Sequence, residues 1–279
     1  MLRVRVALLG EVAVWIGRSE ASIPRTFTAI LGFLLVQPRF SASRDRLAGA
    51  LWPAATDAAA RSALSTALWR ARAAAIECDS LIAASGDRFT LTPAALRAID
   101  LVFFERALDR LFALREATLA SWRRRLGRAL VATEGALFAE MDDEWAVLAR
   151  ERWRWRRLDA LVLLADLALA NRAWADAASL GRAVCAAEPL REDAQRLLIE
   201  ALARSGNRAL ALRQYDHCAA VLEAELGIAP MAATRELADR LRAPDPPGTA
   251  RPPVREGLVT ARKALTSALH EVDLAIASI

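Results

Sequence analysis

The sequence predicts a mainly α chain with a small β part at its N-terminus. Three observations predict it. Apolar and polar residues alternate from Leu2 to Ile16, as in half-buried strands. From Thr26 onward apolar residues recur at three- and four-residue intervals, the helical period. From Asp100 to Arg242 that period dominates, and placing Leu164 on Leu198 exposes a repeat of 34 residues. The 279 residues suffice for about two domains. With 55% hydrophobic and 25% charged residues, the chain can bury a core and is not a disordered polymer.

Val4, Val6 and Leu8 share one strand face, and Val12 and Val14 follow Gly10. Ile23-Pro24 reads as a short edge segment. A helix follows over Thr26–Val36, with Phe27, Ile30, Leu31, Leu34 and Leu35 on one side and Gln37-Pro38 as its stop. Ser43 is placed to cap a short helix, Arg44–Leu51, which Trp52-Pro53 ends. Asp57 is placed to cap a longer helix from Ala58 to Glu77, whose core face carries Leu64, Leu68, Ala71 and Ala75. Leu81–Ala84 and Arg88–Leu91 flank Ser85-Gly86-Asp87, the pattern of a hairpin. Strands, helix, short helix, long helix and hairpin, in that order, make a winged helix-turn-helix preceded by a sheet. In that arrangement the short helix braces the long one, which can enter a major groove while the hairpin reaches beside it.

The repeat has the tetratricopeptide period. Ala177 falls on Ala211, both small where paired helices approach, and Gly206 sits at the second turn where the first has Arg172. Gly181 falls opposite Tyr215, and Pro189 closes the first repeat. The predicted organisation is a winged helix over 1–98, a tetratricopeptide-like helical domain over 100–243, a Pro-rich linker over 244–257 and an amphipathic helix over 258–279.

The net charge of +5 is unevenly placed. Residues 1–99 hold 12 Arg against 7 acids, residues 100–243 hold 22 of each sign, and residues 244–279 hold 4 of each. A basic small domain joined to a neutral one suits a nucleic-acid-binding unit attached to a protein-binding one. Cys78, Cys185 and Cys218 are odd in number and far apart, so no disulfide framework is expected and a reducing cytoplasm fits. No charged leader with an apolar core opens the sequence, and no stretch is apolar enough to span a bilayer, so no membrane partner is expected.

Enzyme chemistry finds no support. His217 and His270 lack metal-ligand neighbours, and there is no P-loop, GxGxxG or GxSxG. His217 is expected exposed beside a buried Cys218. No cofactor is expected. Asp142-Asp143-Glu144 fits the first turn of a helix, where anions complement the dipole. Arg123-Arg124-Arg125 looks like a basic patch, whereas the Arg152–Arg157 run, interleaved with Trp153 and Trp155 and flanked by acids, reads as a helix with salt-bridged faces and buried indoles.

Three stretches carry a family resemblance. The first is Ser43–Leu47 through Leu51-Trp52-Pro53, Ala59–Leu64 and Trp69–Arg72. The second is Asp142–Trp145 with Arg150-Glu151-Arg152, and the third, most specific, is Ala211–Asp216 through Leu222–Pro230. In order and spacing, over residues 1 to about 242, the chain resembles the SARP-type regulators, the antibiotic-regulatory-protein family of bacterial transcription activators. That resemblance implies an OmpR-like winged helix, a bacterial transcriptional activation domain, promoter DNA and RNA polymerase as partners, and DNA-bound homodimers.

With the Leu64 face turned to the core, the long helix presents Ser62, Thr66 and Trp69 outward, flanked by Ser65 and Arg70, with Arg61 and Arg72 near the boundary. Hydroxyls and guanidinium groups suit base edges and phosphates. Arg88 is the hairpin's candidate contact, and Arg44 and Arg46 are candidate phosphate contacts from the short helix. These ten residues are the expected double-stranded DNA surface. The competing reading is an interaction or signal-sensing module whose winged helix no longer binds DNA. Its mark would be a helical domain covering the Ser62–Thr66–Trp69 face.

Overall fold

The computed structural model describes residues 4–114, 118–133 and 137–243, so the linker and tail expected over 244–279 lie outside the described residues. Strand β1 (Val4–Ala7) pairs antiparallel with β2 (Ala13–Ile16), and β2 with the two-residue β3 (Ser19–Glu20). Val6, Leu8 and Val14 are buried, as the alternation required. Ile23-Pro24 is not an edge strand. Pro24 stands at the N-cap of helix α1 (Arg25–Val36), a position where its missing N–H costs nothing.

Helix α2 (Arg44–Leu51) starts at Ser43, whose Oγ accepts from the Arg46 N–H at 3.3 Å. Helix α3 (Asp57–Ala74) is capped by Thr56 rather than Asp57: Thr56 Oγ1 accepts from the Ala59 N–H at 3.4 Å. Asp57 takes the first turn, where its carboxylate still complements the dipole. The helix ends before Glu77, because Ala75 is extended and Ile76–Ser80 form a 3-10 turn that buries Cys78. The hairpin joins β5 (Ile82–Ser85) to β6 (Arg88–Leu91) through a two-residue turn in which Gly86 has φ +57°. A third strand, β4 (Ser41–Ser43), pairs with β6 and ties the wing to the start of α2. A short helix, α4 (Pro93–Ala98), follows, capped by Thr92.

The rest is helical: α5 (Asp100–Leu114), α6 (Ala120–Ala132), α7 (Glu144–Ala170), α8 (Trp174–Ala187), α9 (Glu192–Arg204), α10 (Arg208–Leu226) and α11 (Ala232–Arg242). The repeat holds at the level of single hydrogen bonds. The Ala173 N–H donates to Ala168 and the Asn207 N–H, 34 residues on, donates to Leu202; Ala177 to Ala173 is matched by Ala211 to Asn207. Arg172 (φ 57°) and Gly206 (φ 87°) both turn the chain in the left-handed region, so the first repeat makes with arginine the bend the second makes with glycine. Ala177 and Ala211 are fully buried. A Cβ on Gly181 would come within 3.2 Å of Leu198 Cβ, which is why no tyrosine stands opposite Tyr215.

The winged helix is fastened to the helices behind it. Buried side chains of β1, α1, α3, α5 and α7 belong to one hydrophobic cluster. The Asp100 carboxylate accepts from the Leu8 and Leu9 N–H groups at 3.0 and 3.3 Å, and burial pushes its pKa upward against those bonds. Gly32 admits the Phe138 ring, which a Cβ there would meet at 2.7 Å. Trp145 packs edge-on against Phe33 and Phe138, with centroids 5.5 and 5.3 Å away.

Two arginines of the α7 run are ion-paired. Arg154 meets Glu151 and Glu188, and Arg156 meets Glu105 and Asp109. Only one indole of that run is buried: Trp153 is 3% exposed, whereas Trp155 is 51% exposed, because two residues of separation turn them about 200° apart on a helix.

Candidate nucleic-acid interface

Helix α3 is held from beneath by α1 and α2, with Ala60, Leu64, Ala67 and Ala71 buried against them. Its other face is open. Arg61, Ser62, Ser65, Thr66, Trp69, Arg70 and Arg72 are all exposed, and Trp69 reaches 68%. No described part of the helical domain covers this face. Arg46 and Arg88 are exposed as well.

The hydroxyls have defined polarity. Thr66 Oγ1 donates to the Ser62 carbonyl at 3.0 Å, and Ser65 Oγ donates to the Arg61 carbonyl at 3.1 Å. Each proton is therefore used within the helix, and the oxygens face outward as acceptors. Such groups match the amino groups of cytosine and adenine in a major groove. Ser65 also accepts from Arg44 at 3.3 Å.

The guanidinium groups fall into two sets. Arg61 Nε lies 2.6 Å from Asp45 Oδ1, which ties α3 to α2; this hydrogen bond holds the Asp45 carboxyl below its ordinary value and raises Arg61. Arg72 pairs with Asp79 at 3.5 Å. Arg44 lies over the Phe89 ring and 4.0 Å from Asp87, joining α2 to the wing. These three brace the motif. Arg46, Arg70 and Arg88 have no ion-pair partner among the described residues and present uncompensated charge. Sequence reading grouped all six; only the fold separates braces from free cations. It also missed Asp45 as a structural partner, although a carboxylate between Arg44 and Arg46 was a visible hint.

Among the described residues, no group of three His, Cys, Asp or Glu could hold a metal ion, and no helix is long and apolar enough to cross a membrane. His217 is exposed and Cys218 buried, as expected.

The model of the bacterial transcriptional activator domain matches residues 99–242, just over half of the chain. The chain belongs to this family. The resemblance read from its residues is thereby borne out, and the activator-domain family is a transcription-regulatory one. Regulatory protein AfsR of Streptomyces coelicolor is 32% identical over 248 residues, covering 87% of this chain and 24% of that protein. AfsR of Streptomyces griseus is 29% identical over 241 residues, with 85% and 24% covered. The chain thus spans about a quarter of the length of the curated relatives it matches. Among solved structures, Mycobacterium tuberculosis EmbR, in complex with a low-affinity phosphopeptide, superposes with a TM-score of 0.68 at 22% identity, covering 86% of this chain and 65% of that one. This activator-domain chain therefore shares its fold with EmbR, mainly helical behind a small N-terminal β part.

Proposed function

We propose that the chain is a sequence-specific, promoter-binding transcriptional activator. Residues 1–98 bind duplex DNA, and residues 100–243 hold that unit and engage RNA polymerase. The supporting observation is the open α3 face, with outward acceptor oxygens at Ser65 and Thr66 beside the unpaired Arg46, Arg70 and Arg88. The module lacking DNA binding would need that face covered, and nothing favours it. Recruitment requires no cofactor. The sites of action are double-stranded DNA in the cytoplasm, with two copies on a repeated half-site.

In this reading α3 enters the major groove, Thr66 and Ser65 accept from base amino groups, and Arg70 reads a guanine edge or a phosphate. Arg46 and Arg88 hold the backbone on either side. Selection from a randomised duplex pool at two salt concentrations tests this. One enriched motif, weakened by salt, is expected. Replacing Arg46, Arg70 and Arg88 together by Ala should lower the salt slope by about 3 and the affinity at least 100-fold. A folded protein that enriches no motif at either salt overturns the reading.

A further inference from the structure

Helix α3 carries few of the groups that recognise guanine. Its 18 residues include no Asn, Gln or Lys, and its arginines are Arg61, Arg70 and Arg72. Asp45 holds Arg61 and Asp79 holds Arg72, so of the three only Arg70 lacks an ion-pair partner among the described residues. Arg44, on the neighbouring helix, is engaged with Ser65, with the Phe89 ring and with Asp87. The hydroxyl protons of Ser65 and Thr66 are taken by carbonyls of α3 itself. In place of donors the face offers acceptor oxygens and apolar surface. Trp69 is the largest part of that surface, and Ala58, Ala59 and Thr66, each exposed, bring methyl groups.

The four base pairs answer this inventory unequally. Both kinds of pair carry one major-groove amino group that a hydroxyl oxygen can meet. They differ in the rest. Guanine presents N7 and O6 side by side, which a forked cation fills, whereas thymine presents a methyl, which apolar surface fills. One open guanidinium beside a broad apolar surface is matched to adenine and thymine. From Ser62 to Trp69 the helix rises about 10 Å, the length of about three base-pair steps.

We propose that α3 reads a core of about three A·T pairs, with guanine accommodated only within reach of Arg70. Ser65 and Thr66 accept from adenine amino groups, and the Trp69 ring lies on a thymine methyl, which makes Trp69 a specificity-determining residue. This inference rests on the reading of the α3 face as a DNA surface and names the base edges that this face selects.

The motif enriched from the randomised pool by the full chain is resynthesised with single altered pairs, and affinities are read by fluorescence anisotropy. The motif's core should be A·T. An inosine·cytosine pair resembles A·T in the minor groove and G·C in the major groove, so each such replacement in the core should weaken binding about tenfold. Deoxyuridine in place of thymine removes only the methyl and should cost about fourfold at the pair under Trp69. Trp69→Ser should bind the thymine and deoxyuridine duplexes equally, while Trp69→Phe, which keeps a ring without the N–H, should retain the preference. Thr66→Val should weaken binding to the A·T core about tenfold. A G·C core overturns this inference and leaves DNA binding standing. So does full affinity for inosine·cytosine duplexes, indifference of the wild-type chain to the thymine methyl, or an undiminished thymine preference in folded Trp69→Ser. Absence of any enriched motif overturns the inference together with the DNA-binding reading beneath it.

Discussion

Helices α3 and α7 are both rich in arginine and both carry exposed tryptophan, yet the fold partners the arginines in and around them differently. On α7, Arg154 and Arg156 are met by carboxylates from α5, from the end of α8 and from α7 itself. Arg150 turns inward and donates to the carbonyls of Leu137, Phe138 and Met141 at 2.9, 2.6 and 2.7 Å. On α3 and its neighbours, Arg46, Arg70 and Arg88 meet no carboxylate among the described residues and are exposed. An arginine run is therefore not a nucleic-acid signal by itself. What decides is whether acids fold beside it, and those acids come from distant segments.

Three experiments probe this contrast. The largest effect belongs to Arg150→Ala. It strips three carbonyls of their donor and should cost about 3 kcal/mol of stability by thermal or denaturant unfolding, with DNA affinity below the melting temperature unchanged within about twofold. A large loss of affinity in the folded variant would erase the distinction between the two helices. A smaller effect follows from Asp45→Ala. Releasing Arg61 adds one free cation to the α3 surface, so DNA affinity should rise a few-fold and the salt slope steepen by about 1, read by fluorescence anisotropy. If binding weakens instead, the brace that Arg61 provides matters more than its charge. The smallest effect is one in which both regions should behave alike. Burial pushes Cys78 and Cys218 to about 11 and Cys185 to about 12. Their thiolates are disfavoured in the native state, so alkylation at pH 8 should be slow until the chain unfolds. Because the folded values lie above the unfolded ones, this contribution to stability is complete below about pH 8.5 and is lost as pH rises through about 11 to 12. Rapid labelling of Cys78 alone would show that the region beneath α3 opens independently.

Much of this was legible beforehand. The outer face of α3 followed from helical period alone, because Leu64 and Ala71 had to point inward and the intervening polar residues could not. The 34-residue repeat was legible because packing demands small residues at Ala177 and Ala211. Strand β4 was not: Ser41-Ala42-Ser43 has little strand preference of its own and is extended only because β6 offers it partners. Thr56 and Asp57 are adjacent capping residues, and sequence could not choose between them. The division of arginines into paired and free was hidden too, since Asp45 lies 16 residues from Arg61 and Glu105 lies 51 from Arg156.

Gly32 has a consequence for how such chains can be recombined. It looks like an expendable residue in the middle of an otherwise bulky helix, yet it is where α1 yields to Phe138 from the helical side. The architecture is modular in its order along the chain but not in its joint. A chimera that swaps the first hundred residues for those of another family member inherits this seam. Unless the incoming helix is equally narrow there, the donor half will sit tilted or stand off, leaving the Phe138 and Trp145 rings wet. Compatibility between halves is therefore a matter of one notch and one ring, to be inspected before any reader is transplanted.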